Sequence, residues 1–169
     1  ITHKNSDIYM KLLCLLFFLI IVADPCSSQN TFFEPGAIWK DTEGKHINAH
    51  GGGIYSEGDT YYWYGEHKGQ SSIAQVGVRV YSSSDLYNWK NEGIALAVSN
   101  DLDSEITKGS VIERPKVIYN NKTGKYVMWF HLELKNQGYA AARTGVAISD
   151  SPTGPFKYLK SYRPNANVW

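Results

Sequence analysis

From residue 47 onward the chain reads as short apolar and aromatic runs broken by Gly, Asn, Asp and Ser. The runs are rich in β-branched and aromatic residues and alternate with a period of two, which predicts strands. No convincing long helix is legible after residue 28. The runs also repeat. Ile54-Tyr55 returns as Ile118-Tyr119, 64 residues later. Each pair is followed by a polar turn, "SEGDT" or "NNKTGK", and then by an aromatic run, "YYWYGEH" at 61–67 or "YVMWFHLE" at 126–133. Gly77-Val78-Arg79-Val80 returns as Gly145-Val146-Ala147-Ile148, and each copy closes on a Ser/Asp-rich turn and an aromatic, Trp89 or Phe156.

Each copy therefore reads as strand, tight turn, strand, longer loop, strand, turn, short strand. Four antiparallel strands repeated radially describe a β-propeller blade. The expectation is an all-β chain of about two blades. The spacing of the copies exceeds the roughly 40–45 residues of the commonest propeller repeat. The extra length falls in the loops 68–75, 99–112 and 133–143, where binding residues concentrate. A closed ring takes about 4 to 8 blades, so residues 29–169 read as the N-terminal part of a longer propeller domain. Such a part would leave sheet edges open and would be inactive by itself.

The N-terminus is of another kind. Met10-Lys11 precedes the apolar run Leu12–Ala23 and then "DPCSSQ", the pattern of a cleaved secretory signal. The run is short against the roughly 20 residues of a membrane span. Residues 1–28 are read as upstream residues plus a signal peptide, with Met10 expected as the start. A signal anchor holding the protein in the Golgi membrane is the alternative, and the only membrane association expected. Otherwise the protein is expected to be secreted, extracellular or in the cell wall. Cys14 and Cys26 both lie in that segment, so the remainder has neither a disulfide nor a thiol nucleophile. Asn121-Lys122-Thr123 is a glycosylation sequon and predicts a surface position for Asn121.

Composition narrows the partners. The net charge is +1 with no basic block, which argues against nucleic acid and anionic membrane surfaces. Tyr and Trp are abundant; strand packing accounts for most of the rings, and flat faces for stacking on a sugar account for the rest.

In a propeller the first strand of each blade lines the central channel, and ligands meet the loops leading into it. Those lead-ins are "NAHGG" and "IERPK", and the 64-residue offset sets His50 opposite Arg114 and Gly51 opposite Pro115. "AHGGG" has no downstream Gly-Lys-Ser/Thr and no helix after it, so a phosphate loop is a poor reading. His46, His50, His67 and His131 form no short cluster with Cys or Asp, so no metal and no cofactor are expected. The glycines suit positive φ or close backbone approach. Glu113-Arg114 reads either as a structural ion pair or as a carboxylate aimed at the axis. Glu66, amid aromatics, needs a partner; His67 and Lys68 are at hand, and sugar hydroxyls are the functional alternative.

Together, "INAHGGGI", "YYWYGEHK", "GVRVYSSSDLYNW", "IERPKVIYN", "YVMWFH" and "GVAISDSPTGPF", in this order, resemble glycoside hydrolase family 43, and within it the branch of exo-acting galactan 1,3-β-galactosidases that trim arabinogalactan. The resemblance implies a five-bladed β-propeller of about 300 residues and an inverting hydrolysis with two carboxyl groups about 6.5–9.5 Å apart. Many members carry Asp-Pro at the entrance to blade one, where the Asp is the base. Here that slot holds His50-Gly51, which agrees with the galactanase-like branch and argues against the arabinofuranosidase or xylosidase alternative. The resemblance puts the general acid and the pKa-modulating Asp beyond Trp169. It implies that Glu66, Glu113 and Tyr139 contact the sugar, with His50 placed by motif position. The partner expected is a polysaccharide or glycoprotein glycan. A non-catalytic glycan-binding propeller, or an inactive truncated product, is the other reading.

Overall fold

A computed structural model describes residues 29–68, 73 and 75–165. The signal-like segment 1–28 lies outside the described residues. The described chain is all-β and contains no helix. Its strands are β1 (His50–Glu57), β2 (Thr60–His67), β3 (Gly77–Ser83), β4 (Lys90–Ala97), β5 (Val111–Asn120), β6 (Lys125–Glu133), β7 (Arg143–Ser149) and β8 (Lys157–Tyr162). They form two four-stranded antiparallel meanders, β1-β2-β3-β4 and β5-β6-β7-β8. These are two propeller blades, hereafter blade 1 and blade 2.

The meander follows from the turns. β1 and β2 are joined by Gly58-Asp59, with Gly58 at φ 54°, where a side chain would be costly. β5 and β6 are joined by 121–124, closed by Gly124 N–H donating to the Asn120 carbonyl at 2.9 Å. Asn121 sits exposed in this turn.

The core lies between the blades. Tyr64, Val78, Val80 and Leu96 of blade 1 pack with Val117, Met128, Phe130, Leu132 and Ala147 of blade 2, sealed by Ile106, Ile112 and Phe156. Each large side chain contributes about 2 kcal/mol by leaving water. Polar pins cross the same interface. Tyr64 Oη donates to the Pro152 carbonyl at 2.5 Å, and Tyr126 Oη reaches both Glu57 oxygens at 2.8 and 2.9 Å. A second cluster, Ile47, Ala49, Tyr81 and Trp89, covers the other face of blade 1. On the far face of blade 2, Ile118, Trp129, Leu159 and Tyr162 stay exposed.

The blades match with a register different from the one their sequences suggest. His50 pairs with Glu66, and after a bulge Gly53 pairs with Tyr64. Glu113 pairs with His131, and after a bulge Lys116 pairs with Trp129. His50 thus corresponds to Glu113, and Gly51 to Arg114, an offset of 63. Gly51 and Arg114 share a positive φ, 57° and 51°. The expected pairing of His50 with Arg114 is therefore corrected by one residue. The counterpart of Ile54 is Val117, and that of Tyr55 is Ile118. A one-residue slip moves a side chain to the opposite face, so the recurring Ile-Tyr dipeptides lie out of step. The third strands also shift: Val80 faces Tyr64 as Val146 faces Trp129, an offset of 66 where the recurring Gly-Val suggested 68. That slip of two leaves each residue on its own face. The misreading has a physical source. A recurring dipeptide does not record the bulge between it and the strand entrance, and the bulge decides which face each residue takes.

Candidate functional site

The glycine run makes room and does not itself carry chemistry. A Cβ on Gly52 would lie 2.4 Å from Trp63 Nε1 and 2.5 Å from the Tyr64 carbonyl. One on Gly53 would lie 2.7 Å from the Lys116 side chain, whose Nζ donates to the Gly52 carbonyl at 2.8 Å. The two axis-lining strands, β1 and β5, therefore approach closely at the mouth of the channel. This approach brings the ends of the β1/β2 and β5/β6 pairs together.

Two carboxylates, one from each blade, stand there with their side chains only 7% exposed. Glu66 Oε1 contacts His50 Nδ1 at 2.9 Å, and its Oε2 lies 3.3 Å from Lys68 Nζ. Lys68 Nζ is also 3.6 Å from Glu113 Oε1, so one ammonium stands between the carboxylates. Glu113 Oε1 accepts from Tyr139 Oη at 2.7 Å. Glu113 Oε2 is buried without a hydrogen-bond donor, and Arg114 Nη1 stands 3.6 Å away. Burial pulls the Glu113 carboxyl upward. The hydrogen bond from Tyr139 and the nearby Lys68, Arg114 and His131 together outweigh it, and Glu113 is held below the usual glutamate range. Tyr139 moves the opposite way, raised first by its bond to Glu113 and then by burial, and stays a donor.

Around these buried acceptors the exposed groups are donors and rings. The His50 and Arg114 side chains are each 66% exposed, and Tyr139 is 59% exposed. Buried carboxylate acceptors, exposed nitrogen donors and an aromatic edge together suit a neutral polyol, whose hydroxyls both donate and accept.

The structure thus brings together all four residues singled out from sequence: His50, Glu66, Glu113 and Tyr139. It reassigns one neighbour. His67, considered as a partner for Glu66, instead accepts from Arg79 Nε at 3.0 Å, and burial with the Arg79 charge lowers its pKa. The partners of Glu66 are His50 and Lys68. Sequence reading weighed His131 only as a metal ligand and passed over Glu133. His131 stacks on Tyr139, with centroids 5.8 Å apart and planes at 20°, and its Nε2 lies 2.9 Å from Glu133 Oε1. The available signal was the alternation in "FHLE", which sets His131 and Glu133 on one face of a strand with buried neighbours.

The fold brings two blade entrances together, and this cluster sets buried acceptors beside exposed donors where they converge. Comparison with solved structures assigns the family. The chain is similar to the GH43 β-1,3-galactosidase BT3683 with galactodeoxynojirimycin, at 59% identity over 75% of this chain and 37% of that chain, TM-score 0.72. It is similar to the exo-β-1,3-galactanase Pc1,3Gal43A of Phanerochaete chrysosporium with galactose, at 45% identity over 76% and 29%, TM-score 0.71. It is also similar to the exo-β-1,3-galactanase 1,3Gal43A of Clostridium thermocellum, at 46% identity over 76% and 27%, TM-score 0.68. No protein-family model and no curated protein matches the sequence. The chain belongs to glycoside hydrolase family 43, on the side of its β-1,3-galactanases, and its two sheets are two blades of that family's five-bladed propeller. It spans 27% to 37% of the length of these three solved chains.

Proposed function

We propose that the whole protein is an exo-acting, inverting glycosidase that removes galactose from β-1,3-linked galactan, and that the two described blades supply its sugar-gripping wall. The observation that carries this reading is the pair of buried carboxylates, Glu66 and Glu113, delivered by two blades to one channel mouth and bridged by Lys68. Glu113, held ionised, accepts sugar hydroxyls. Tyr139 and Arg114 flank it, and Glu66 acts in the same way from blade 1 with His50 at its side. In the same reading the protein enters the secretory pathway through residues 1–28 and meets its glycan outside the cell or in the Golgi.

The similarity to galactanases supports this substrate class. So does the His50-Gly51 pair at the blade 1 entrance, where other branches of the family carry a carboxylate. The test is incubation of the whole protein with β-1,3-galactan, following released galactose by anomeric proton NMR. Galactose appearing first as the α-anomer is the expected result; release of the β-anomer or of longer oligosaccharides overturns it. A second reading, binding without cleavage, draws on one observation: Glu113 is held low, so it is an acceptor and not a proton donor. Retention on a galactan column with no product would favour that reading.

A further inference from the structure

The site rests on a buried charge outside its wall. Glu133 ends β6 fully buried, at 0% exposure. A carboxylate so placed is costly unless it is compensated. Here the hydrogen bonds come from the Ala142 N–H, which reaches both carboxylate oxygens, at 3.1 and 3.0 Å; His131 Nε2 packs 2.9 Å from Oε1 without hydrogen-bond geometry. Residues 133 and 142 are the two ends of the loop that carries Tyr139. Among the described residues, the backbone bonds within the loop are turn bonds, Gln137 N–H to the Leu134 carbonyl and Ala140 N–H to the Gln137 carbonyl. Asn136 at φ 62° and Ala142 at φ 45° take the left-handed conformation, which asparagine tolerates and which strains Ala142.

We propose that Glu133 is a positioning residue for Tyr139: it clamps the far end of the loop through Ala142 and steadies the His131 ring on which Tyr139 stacks, so that the phenol meets Glu113. This inference rests on the reading of Glu113 and Tyr139 as sugar contacts, and it adds the device that holds them together. A purely structural role would account for the buried charge but would not require the charge to reach the Tyr139–Glu113 bond.

The experiment uses the whole protein and compares Glu133→Gln with Tyr139→Phe. The first readout needs no substrate: the pH titration of the Glu113 carboxyl by carbon-13 NMR, assigned by loss of its signal in Glu113→Gln. Tyr139→Phe raises the Glu113 midpoint, because the donor is gone. Glu133→Gln is expected to raise it in the same direction. The sign is diagnostic, since removing a nearby negative charge would by itself lower Glu113. The second readout is kinetic: KM for β-1,3-galactan rises about ten-fold with kcat nearly unchanged, as for a lost charge-assisted contact in binding.

Adding Ala142→Gly to Glu133→Gln relieves the positive φ and is expected to restore most of both readouts. If Glu133→Gln alone does not fold, Glu133→Asp, which keeps the charge and withdraws it from the Ala142 N–H, takes its place and is expected to raise the Glu113 midpoint in the same way. A Glu113 midpoint that stays at the wild-type value or falls in the Glu133 variant, while Tyr139→Phe raises it, overturns the proposal. If wild-type protein neither binds nor cleaves β-1,3-galactan, the functional reading fails, and the titration still decides the role of Glu133.

Discussion

The entrances to the two blades share a register and exchange their residues. In blade 1 the axis strand carries the histidine, His50, and the second strand the carboxylate, Glu66. In blade 2 the axis strand carries the carboxylate, Glu113, and the second strand the histidine, His131. One step further, between the second and third strands, a glycine changes strand: Gly65 pairs with Arg79 in blade 1, whereas Phe130 pairs with Gly145 in blade 2. What recurs is the backbone, down to the bulge and the positive φ at Gly51 and Arg114. The side chains are distributed across each strand pair as the neighbours require. The space above Gly65 is taken by the Ala49 main chain, 2.2 Å from a Cβ added there; that above Gly145 is taken by the Phe130 ring, at 2.3 Å.

The sharpest way to break this contrast is steric. Gly65→Ala forces a methyl into main chain that cannot rotate away, and is expected to cost about 3 kcal/mol in denaturant unfolding. Gly145→Ala meets a side chain and should cost about 1 kcal/mol less, since a ring can tilt where a backbone cannot. Equal costs would show that the two glycines make room in the same way.

Next in size is the exchange of carboxylate and histidine. Glu113→Gln keeps the shape and removes the charge. In the whole protein it is expected to lower kcat/KM about thirty-fold, equivalent to about 2 kcal/mol for hydrogen bonds to a charged group. His50→Asn, at the matching but largely exposed position, should lower it less than about five-fold. A larger effect at His50 would reverse the assigned weights of the two entrances.

The shared bulge predicts opposite signs for opposite substitutions. Gly51→Ala puts a Cβ at φ 57° and 3.3 Å from Glu66 Oε1, and should destabilise by about 1 kcal/mol. Arg114→Gly removes the same penalty at φ 51° and should stabilise by about 1 kcal/mol while weakening sugar binding. Thermal unfolding of the two variants checks the pair. The same sign in both would mean that the bulges are not equivalent.

The smallest effect concerns the turns closing the third strands. Asp85 in blade 1 is pulled upward by burial, but hydrogen bonds from Asn88, Tyr87 and Ser83 outweigh this and hold its pKa at about 2. A depressed carboxyl stabilises the fold above its unfolded value and loses that contribution as pH falls through the folded one. The contribution of Asp85 is thus present above pH 3.8 and lost between 3.8 and about 2. Glu113, also held low, adds to the same acid limb. At the position of Asp85, blade 2 has Ser151, which bonds the Thr153 N–H and does not titrate. Asp85→Ser should flatten stability against pH in that window. An unchanged acid limb would show that the turn contributes no pH dependence.

Much of the fold was legible before any coordinates. Aromatic and β-branched runs with Gly and Asn punctuation predict strands whatever lies around them, because the preference is local. Glu66 and Glu113 stood out as charges set among apolar residues. The pairing of His50 with Glu66 did not, since it spans a hairpin and depends on which residues of β1 and β2 face each other. Glu133 escaped notice because its partners, Ala142 and His131, are joined by a loop whose shape no periodicity records.

The sequence by itself determined the all-β class, the two-copy repeat and the residue types at the channel mouth, which follow from local pattern and composition, and its ordered motifs carried the resemblance to the family. Tertiary structure alone decided the one-residue register between the copies, the exchange of histidine and carboxylate across the blades, and the clamp beneath Tyr139. Those depend on bulges, turn lengths and contacts between strands distant in the chain, where a single-residue slip reverses every face and leaves the local pattern almost unchanged.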